Sequence, residues 1–380
     1  DNAGAGVVTQ SCALSADIVV VPSLVFHALA AIGASWATTK PFRKEAWGFD
    51  LHKTYWRRLM HKFFNPRRAD PPLLVVHMGF TNNFEQMLAL SEFPAEFIAR
   101  VVMVSIESNM RTSQRELLPA AMVESSDKAL LEASPPKSPL SVTLPYPTSI
   151  LEPVKFAAAA GSYDPKRGRR VSVSFLGSGR AKSPANRIRG MVMDALRSAG
   201  AFEANIPRGG GSFLHLCSGP VRSSTGPFCG LPEAGQNLWS LAANSAFCLQ
   251  PAGDSLTRSH FYIAVLSGCI PVLFDGGHDK FGGQTWWAFR GTSAEGVRNP
   301  YADFSKFAIV YNASDVLEGK VDFVQELQNM PTNDPNSFET LRAGLDEIAP
   351  SMRYAYSCEQ GCSDAFVALQ AILSRRMQIL

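Results

Sequence analysis

Residues 247–274 read FCLQPAGDSLTRSHFYIAVLSGCIPVLF: an apolar run, a polar turn, a short helical pattern and a second apolar run. This order constrains the fold more than any other feature of the chain, because strand, helix and strand in succession build a parallel sheet. Between the first strand and the helix lies Gly-Asp-Ser-Leu-Thr-Arg, a cluster of small hydrogen-bonding groups and one fixed cation. Each apolar run carries a cysteine, Cys248 in the first and Cys269 in the second.

The same alternation runs through the rest of the chain. DIVVVP (17–22), PPLLVVHMGF (71–80), RVVMVSIES (100–108) and VTLPYPTSI (142–150) are strand-like, with helical spacing in SLVFHALAAIGA and in residues 82–99. The segment AAAAGSYDPKRGRRV (157–171) is small, polar and basic, and reads as a linker whose charge run is a solvated turn. A second alternation follows. RRVSVSFLGSG (169–179) is a strand entering a glycine turn, and ANRIRGMVMDALRSAG (185–200) is an amphipathic helix closed by glycine. The expected architecture is α/β, two Rossmann-like doubly wound domains facing a cleft. The expected divisions are 1–156 for the first domain, 157–170 for the linker and 171–345 for the second domain. Residues 346–380 are expected to form helices packing back toward the first domain.

In such sheets ligands bind beyond the carboxyl ends of the strands. That rule points to Pro22, to His77 through Asn83, to Glu107, to Pro145 through Thr148, to Gly177 through Arg180 and to Gln250 through Arg258. In FLGSGR (175–180) the glycines would let backbone N–H groups approach a phosphate, with Arg180 to pair with it; an ordinary tight turn fits the same residues. In QPAGDSLTRSHF (250–261), Asp254, Ser255 and Thr257 stand where a helix beginning at Thr257 would be capped. Hydroxyls, a helix start and Arg258 together suit a diphosphate better than a plain cap does. His77 and Glu107 end strands and are candidate general bases; a satisfied buried histidine and a cap or ion pair are the plainer readings.

The chain has 380 residues, 46% hydrophobic, enough for two cores. A net charge of +3 gives no reason to expect nucleic acid. No window reaches about 18 uninterrupted apolar residues, and the start lacks the features of a signal peptide, so any membrane anchor is expected outside this chain. The seven cysteines lack tight metal-binding pairs. They fit either buried thiols or disulfides formed in an oxidising compartment. Asn312-Ala-Ser is a glycosylation sequon, a triplet common by chance. No acidic pair stands at a strand end in the second half, which argues against a metal-held diphosphate.

Residues 247–274 closely resemble the signature of the exostosin-type glycosyltransferases, in the LQP-GDS-TR form of the plant xyloglucan galactosyltransferase (MUR-type) branch. SADIVVVP, VSIES, VTLPYPTSI, VSFLGSGRAKSPANRIRGMVMDAL and FSKFAIVYNASDVLEG are similar to further family segments, in the family's order. The resemblance implies the GT-B fold and an inverting, metal-independent transfer from a UDP-sugar, galactose-like by preference, to a glycan hydroxyl. It implies no cofactor, a nucleotide sugar and a glycan acceptor as partners, and a Golgi-lumen location behind an upstream anchor. Donor contacts would come from Gly177, Arg180, Gln250, Gly253, Asp254, Ser255, Thr257 and Arg258, and acceptor-side contacts from Asn82, Asn83 and Tyr146. It also implies disulfides, Cys248 with Cys269 and Cys217 with Cys229.

Two departures stand out. Where the branch has an arginine and then an aspartate, this chain has Gly79 and Asn83 in HMGFTNNF. An amide cannot accept a proton as a carboxylate does, so the base would be His77 or Glu107, or the chain would be an impaired, glycan-binding paralogue. The stretch Ser259 to Tyr262 also lacks an acidic residue of the family pattern.

Overall fold

The computed structural model describes residues 18–21, 49–64, 71–77, 90–105, 140–148, 169, 171–177, 187–208, 211–218, 238–251, 258–275, 304–354 and 364–379. The chain forms two compact units. The first comprises residues 1–144, 289–299 and 371–380, and the second residues 145–288 and 300–370.

In the first unit, β1 (Ile18–Val21), β2 (Leu73–His77), β3 (Val101–Ser105) and β4 (Leu140–Thr143) form a parallel sheet in chain order. Leu73 through Val76 and Val101 through Val104 are buried along their whole runs, which is why these strands are continuously apolar instead of alternating. Helix α1 (Phe49–Phe63) buries Trp56, Leu59 and Phe63, spaced along one face. The short α2 (Ala95–Ala99) starts after Pro94 and sets Phe97 against Phe64 and Phe93. The order of the described strands does not reverse, so the two-sided winding expected of a Rossmann-like domain is not seen among them.

The second unit is built on a six-stranded sheet of order β10-β9-β8-β5-β7-β6. Its strands are β5 (Val171–Gly177), β6 (Phe202–Arg208), β7 (Gly211–Ser218), β8 (Ser245–Leu249), β9 (Ile270–Asp275) and β10 (Ile309–Asn312). Strands β5, β8, β9 and β10 run parallel, as expected. The pair β6–β7 is an antiparallel hairpin added beside β5, which the doubly wound expectation did not include. Its last pair is Arg208 with Gly211.

The helices among the described residues are α3 (Arg187–Ser198), α4 (Leu238–Asn244), α5 (Ser259–Leu266), α6 (Ala313–Leu317), α7 (Phe323–Asn333), α8 (Pro335–Met352) and α9 (Ala365–Ile379). Gly200, at φ 73°, closes α3, and Gly268, at φ 68°, closes α5. Asp322 and Asp334 cap α7 and α8 through bonds accepted from Gln325 N and Ser337 N. No helix among the described residues is long and apolar enough to cross a membrane.

The packing around β8 is cross-linked at two points. Cys248 and Cys269 are joined by a disulfide inside a cluster with Trp239, Ala242, Ala243, Ile263 and Ala264. Beside it Arg169 donates from Nη1 to the carbonyls of Ala242, Ala243 and Ser245, and from Nη2 to that of Ser267. These carbonyls lie at or just past the ends of α4 and α5, so a cation meets the negative ends of two helix dipoles. The sequence placed Arg169 in a solvated turn. It is instead half-buried and bound to four carbonyls, because the strand it precedes starts between two helix ends.

Candidate functional site

The chain changes direction across the sheet between β5 and β8. From β5 it passes through α3 to the hairpin on one side, and from β8 it passes through α5 to β9 on the other. In open α/β sheets such a reversal opens a crevice at the carboxyl ends of the two strands. Gly177 and Gln250 stand at those ends.

Arg258 spans that position. Its Nη2 donates to the Leu176 carbonyl at 2.6 Å and its Nη1 to the Pro251 carbonyl at 3.1 Å, tying the segment after β8 to the end of β5. Its guanidinium lies 5.7 Å from the centre of the Phe175 ring, a cation–π distance. Gly177 is the residue that makes room: a Cβ there would fall 2.7 Å from Arg258 Nη2. Burial pushes the Arg258 guanidinium down to about 9, with the like charge of Arg189 adding to the effect. No carboxylate is among the partners of Arg258 in the described residues. Arg189 itself lies on the inner face of α3 and is 5% exposed.

A buried cation at the edge where ligands bind, held among the described residues by two neutral carbonyls and a ring face, makes a site that favours an anion. Arg169 shows the contrast within the same sheet. Its four carbonyls include helix ends that neutralise it, whereas Arg258 has two carbonyls and a ring face.

A second polar pair is buried beside this cation. Gln250, 1% exposed, lies with Nε2 3.0 Å from His260 Nδ1, and its Oε1 has no hydrogen-bond partner among the described residues. Tyr146 packs against Tyr262, with ring centres 5.7 Å apart. The Pro-Tyr-Pro segment is further held by the Tyr354 hydroxyl, which donates to the Pro145 carbonyl at 2.8 Å. Tyr146 therefore belongs to the second unit.

Among the expected site residues, the structure brings Gly177, Gln250 and Arg258 together. His77 is the last residue of β2, beside Val104 of β3. Cys217 is placed in β7 between Ser174 and Phe202. Asn82, Asn83, Glu107, Arg180, Cys229, Gly253, Asp254, Ser255 and Thr257 lie outside the described residues. Helix α5 begins at Ser259 with Arg258 at its N-cap position and no side-chain cap, later than the start at Thr257 read from the sequence. The first free N–H groups of the helix thus follow Arg258 instead of preceding it. Arg189, His260, Phe175 and Tyr262 were missed as site residues. Arg189 had a legible signal, since Ile188, Arg189, Val192, Met193 and Leu196 share one helical face and that face is buried. Among the described residues no cluster of three or more His, Cys, Asp or Glu is placed to hold a metal ion.

Fold and site together define a mixed α/β protein with an anion-seeking carboxyl edge. Residues 101–327, more than half of the chain, match the family described as the Exostosin GT47 domain, and the chain belongs to that family. It is similar to three Arabidopsis thaliana proteins. Xyloglucan galactosyltransferase MUR3 is 26% identical over 237 residues, 61% of this chain and 32% of its own length. Xyloglucan-specific galacturonosyltransferase 1 is 27% identical over 190 residues, 50% of this chain and 23% of its own. Probable xyloglucan galactosyltransferase GT13 is 28% identical over 218 residues, 54% of this chain and 38% of its own. The chain thus spans well under half the length of these relatives.

Proposed function

We propose that this chain is the catalytic region of a glycosyltransferase that takes a sugar, galactose-like by preference, from a UDP-sugar to a hydroxyl of a glycan or polysaccharide. The observation that carries the reading is Arg258, a buried cation at the switch point whose described partners include no carboxylate. A donor diphosphate supplies the missing negative charge, and Arg189 adds to the positive field. The names of the relatives support sugar transfer and leave the donor of this chain as our inference.

In the proposed reaction a base removes the acceptor proton, and the acceptor oxygen attacks the anomeric carbon from the side opposite the diphosphate. The new C–O bond forms as the bond to the β-phosphate oxygen breaks, so the configuration inverts. The electron pair leaves on UDP, where Arg258 stabilises it without a metal ion. His77 and Glu107 remain the candidate bases, and Arg180, Gly253, Asp254, Ser255 and Thr257 the further candidate donor contacts. We place the chain in a GT-B arrangement, in the Golgi lumen, behind an anchor outside this sequence. The buried Cys248–Cys269 bond agrees with an oxidising lumen.

Asn83, standing where the branch has an aspartate, favours a second reading, a donor-binding paralogue without transfer. One experiment separates the two. UDP-galactose and related UDP-sugars are incubated with xyloglucan fragments, and UDP binding and UDP release are measured for the natural chain and for Arg258→Ala. Transfer predicts release that Arg258→Ala abolishes. Binding without release, across all donors and acceptors, supports the paralogue. Unchanged binding and release in Arg258→Ala would sink the site.

A further inference from the structure

We infer that Asn312 is a modification site that carries an N-linked glycan, an inference that rests on the lumenal reading above. Asn312-Ala313-Ser314 is the one Asn-x-Ser/Thr triplet in the chain, and its middle residue is not proline. Such triplets are often silent because the asparagine is buried or its amide nitrogen is engaged. Here Asn312 and Ser314 are both exposed. Asn312 is the last residue of β10 and the N-cap of α6, and its Oδ1 accepts a bond from Ser314 N at 2.8 Å. Nδ2 has no partner among the described residues.

This arrangement separates the two ends of the amide. The oxygen holds the turn inside the sequon, and the nitrogen belongs to an exposed residue and is not used by the cap. Glycosylation replaces one hydrogen on Nδ2 and leaves Oδ1 able to accept, so the helix cap survives the modification. The group-transfer step uses a glycan carried on a polyprenyl diphosphate. The Nδ2–C1 bond forms, the bond from C1 to phosphate oxygen breaks, the diphosphate leaves with the electron pair, and one Nδ2 proton passes to a base of the transferring enzyme. The position also has a physical use. β10 is the outer strand of the described sheet, and Val310 on it is 45% exposed, so a glycan at its end would shield an edge open to pairing with other chains.

The test is made on the full-length protein expressed in a eukaryotic secretory host, with peptide-N-glycosidase treatment in heavy-oxygen water and mapping of the Asn312 peptide. The same digest scores Cys248 and Cys269 as disulfide or thiol. The expected result is a mobility shift removed by the glycosidase, with Asn312 converted to labelled aspartate. The shift is lost in Asn312→Asp, which keeps the cap and the melting temperature, and in Ser314→Ala, and it is retained in Ser314→Thr. An unmodified Asn312 peptide beside an intact Cys248–Cys269 disulfide overturns the site and spares the lumenal reading. Free thiols at both cysteines overturn both.

Discussion

Gly177 and Arg258 exclude any side chain between them: a Cβ on Gly177 would meet Arg258 Nη2 at 2.7 Å and Phe175 Cζ at 2.8 Å. The end of β5 is therefore shaped around the guanidinium. Gly177→Ala is expected to push Arg258 off the Leu176 carbonyl while the sheet still forms. Loss of one charge-assisted bond costs about 1.5–3 kcal/mol, so UDP affinity should fall by roughly 10- to 100-fold. Calorimetric titration with UDP checks this, and an unchanged affinity would show that the close fit is incidental.

Arg258 also predicts a pH dependence. Its folded value, about 9, lies below the ordinary arginine value, so the charged form is present below that pH and is lost as pH rises through it. The cost of burying the charge is accordingly present below about 9 and relieved above it. Anion affinity runs the same way: full below about 9, then falling by about tenfold per pH unit. The ratio of natural to Arg258→Met affinity for UDP, followed from neutral to alkaline pH, cancels the titration of uracil itself. A flat ratio would contradict the prediction.

Arg169 is expected to matter for stability and not for the ligand. Arg169→Met leaves four carbonyls at the amino end of the sheet without their donor, a loss of at least about 3 kcal/mol. Denaturant unfolding should show this drop, while UDP affinity of the folded protein stays within about twofold, an energy of a few tenths of a kcal/mol.

The Cys248–Cys269 disulfide closes a loop with a sequence separation of 21, for which chain entropy gives about 3 kcal/mol. The double variant Cys248→Ala, Cys269→Ala should lose about that much stability in denaturant unfolding under oxidising conditions. A midpoint equal to that of the oxidised natural chain would place the stabilisation elsewhere.

How much of this was legible depended on whether a residue's role was local. The parallel strands were readable because burial on both faces leaves a continuous apolar run, as in Val101 through Val104. The pairing of Cys248 with Cys269 came from the family resemblance, and the structure bears it out. The β6–β7 hairpin had a signal, the glycines at 209–211, that was overlooked because an expected helix–strand alternation was imposed on the region. Arg169 and Arg258 show what sequence hides. Arg169 stands in a basic run before a strand and Arg258 alone before a helix, and only the third dimension reveals that one sits among four carbonyls and the other on two carbonyls and a ring.

The disulfide runs from the next-to-last residue of β8 to the residue before β9, and Arg169 fastens the amino end of β5 to the ends of α4 and α5. Gln250, two residues beyond Cys248, donates its N–H to the Val272 carbonyl. Amide hydrogens from Cys248 to Gln250 should therefore exchange only when the whole unit unfolds. The sheet behaves like a riveted plate, stiff up to the rim where the donor is proposed to enter.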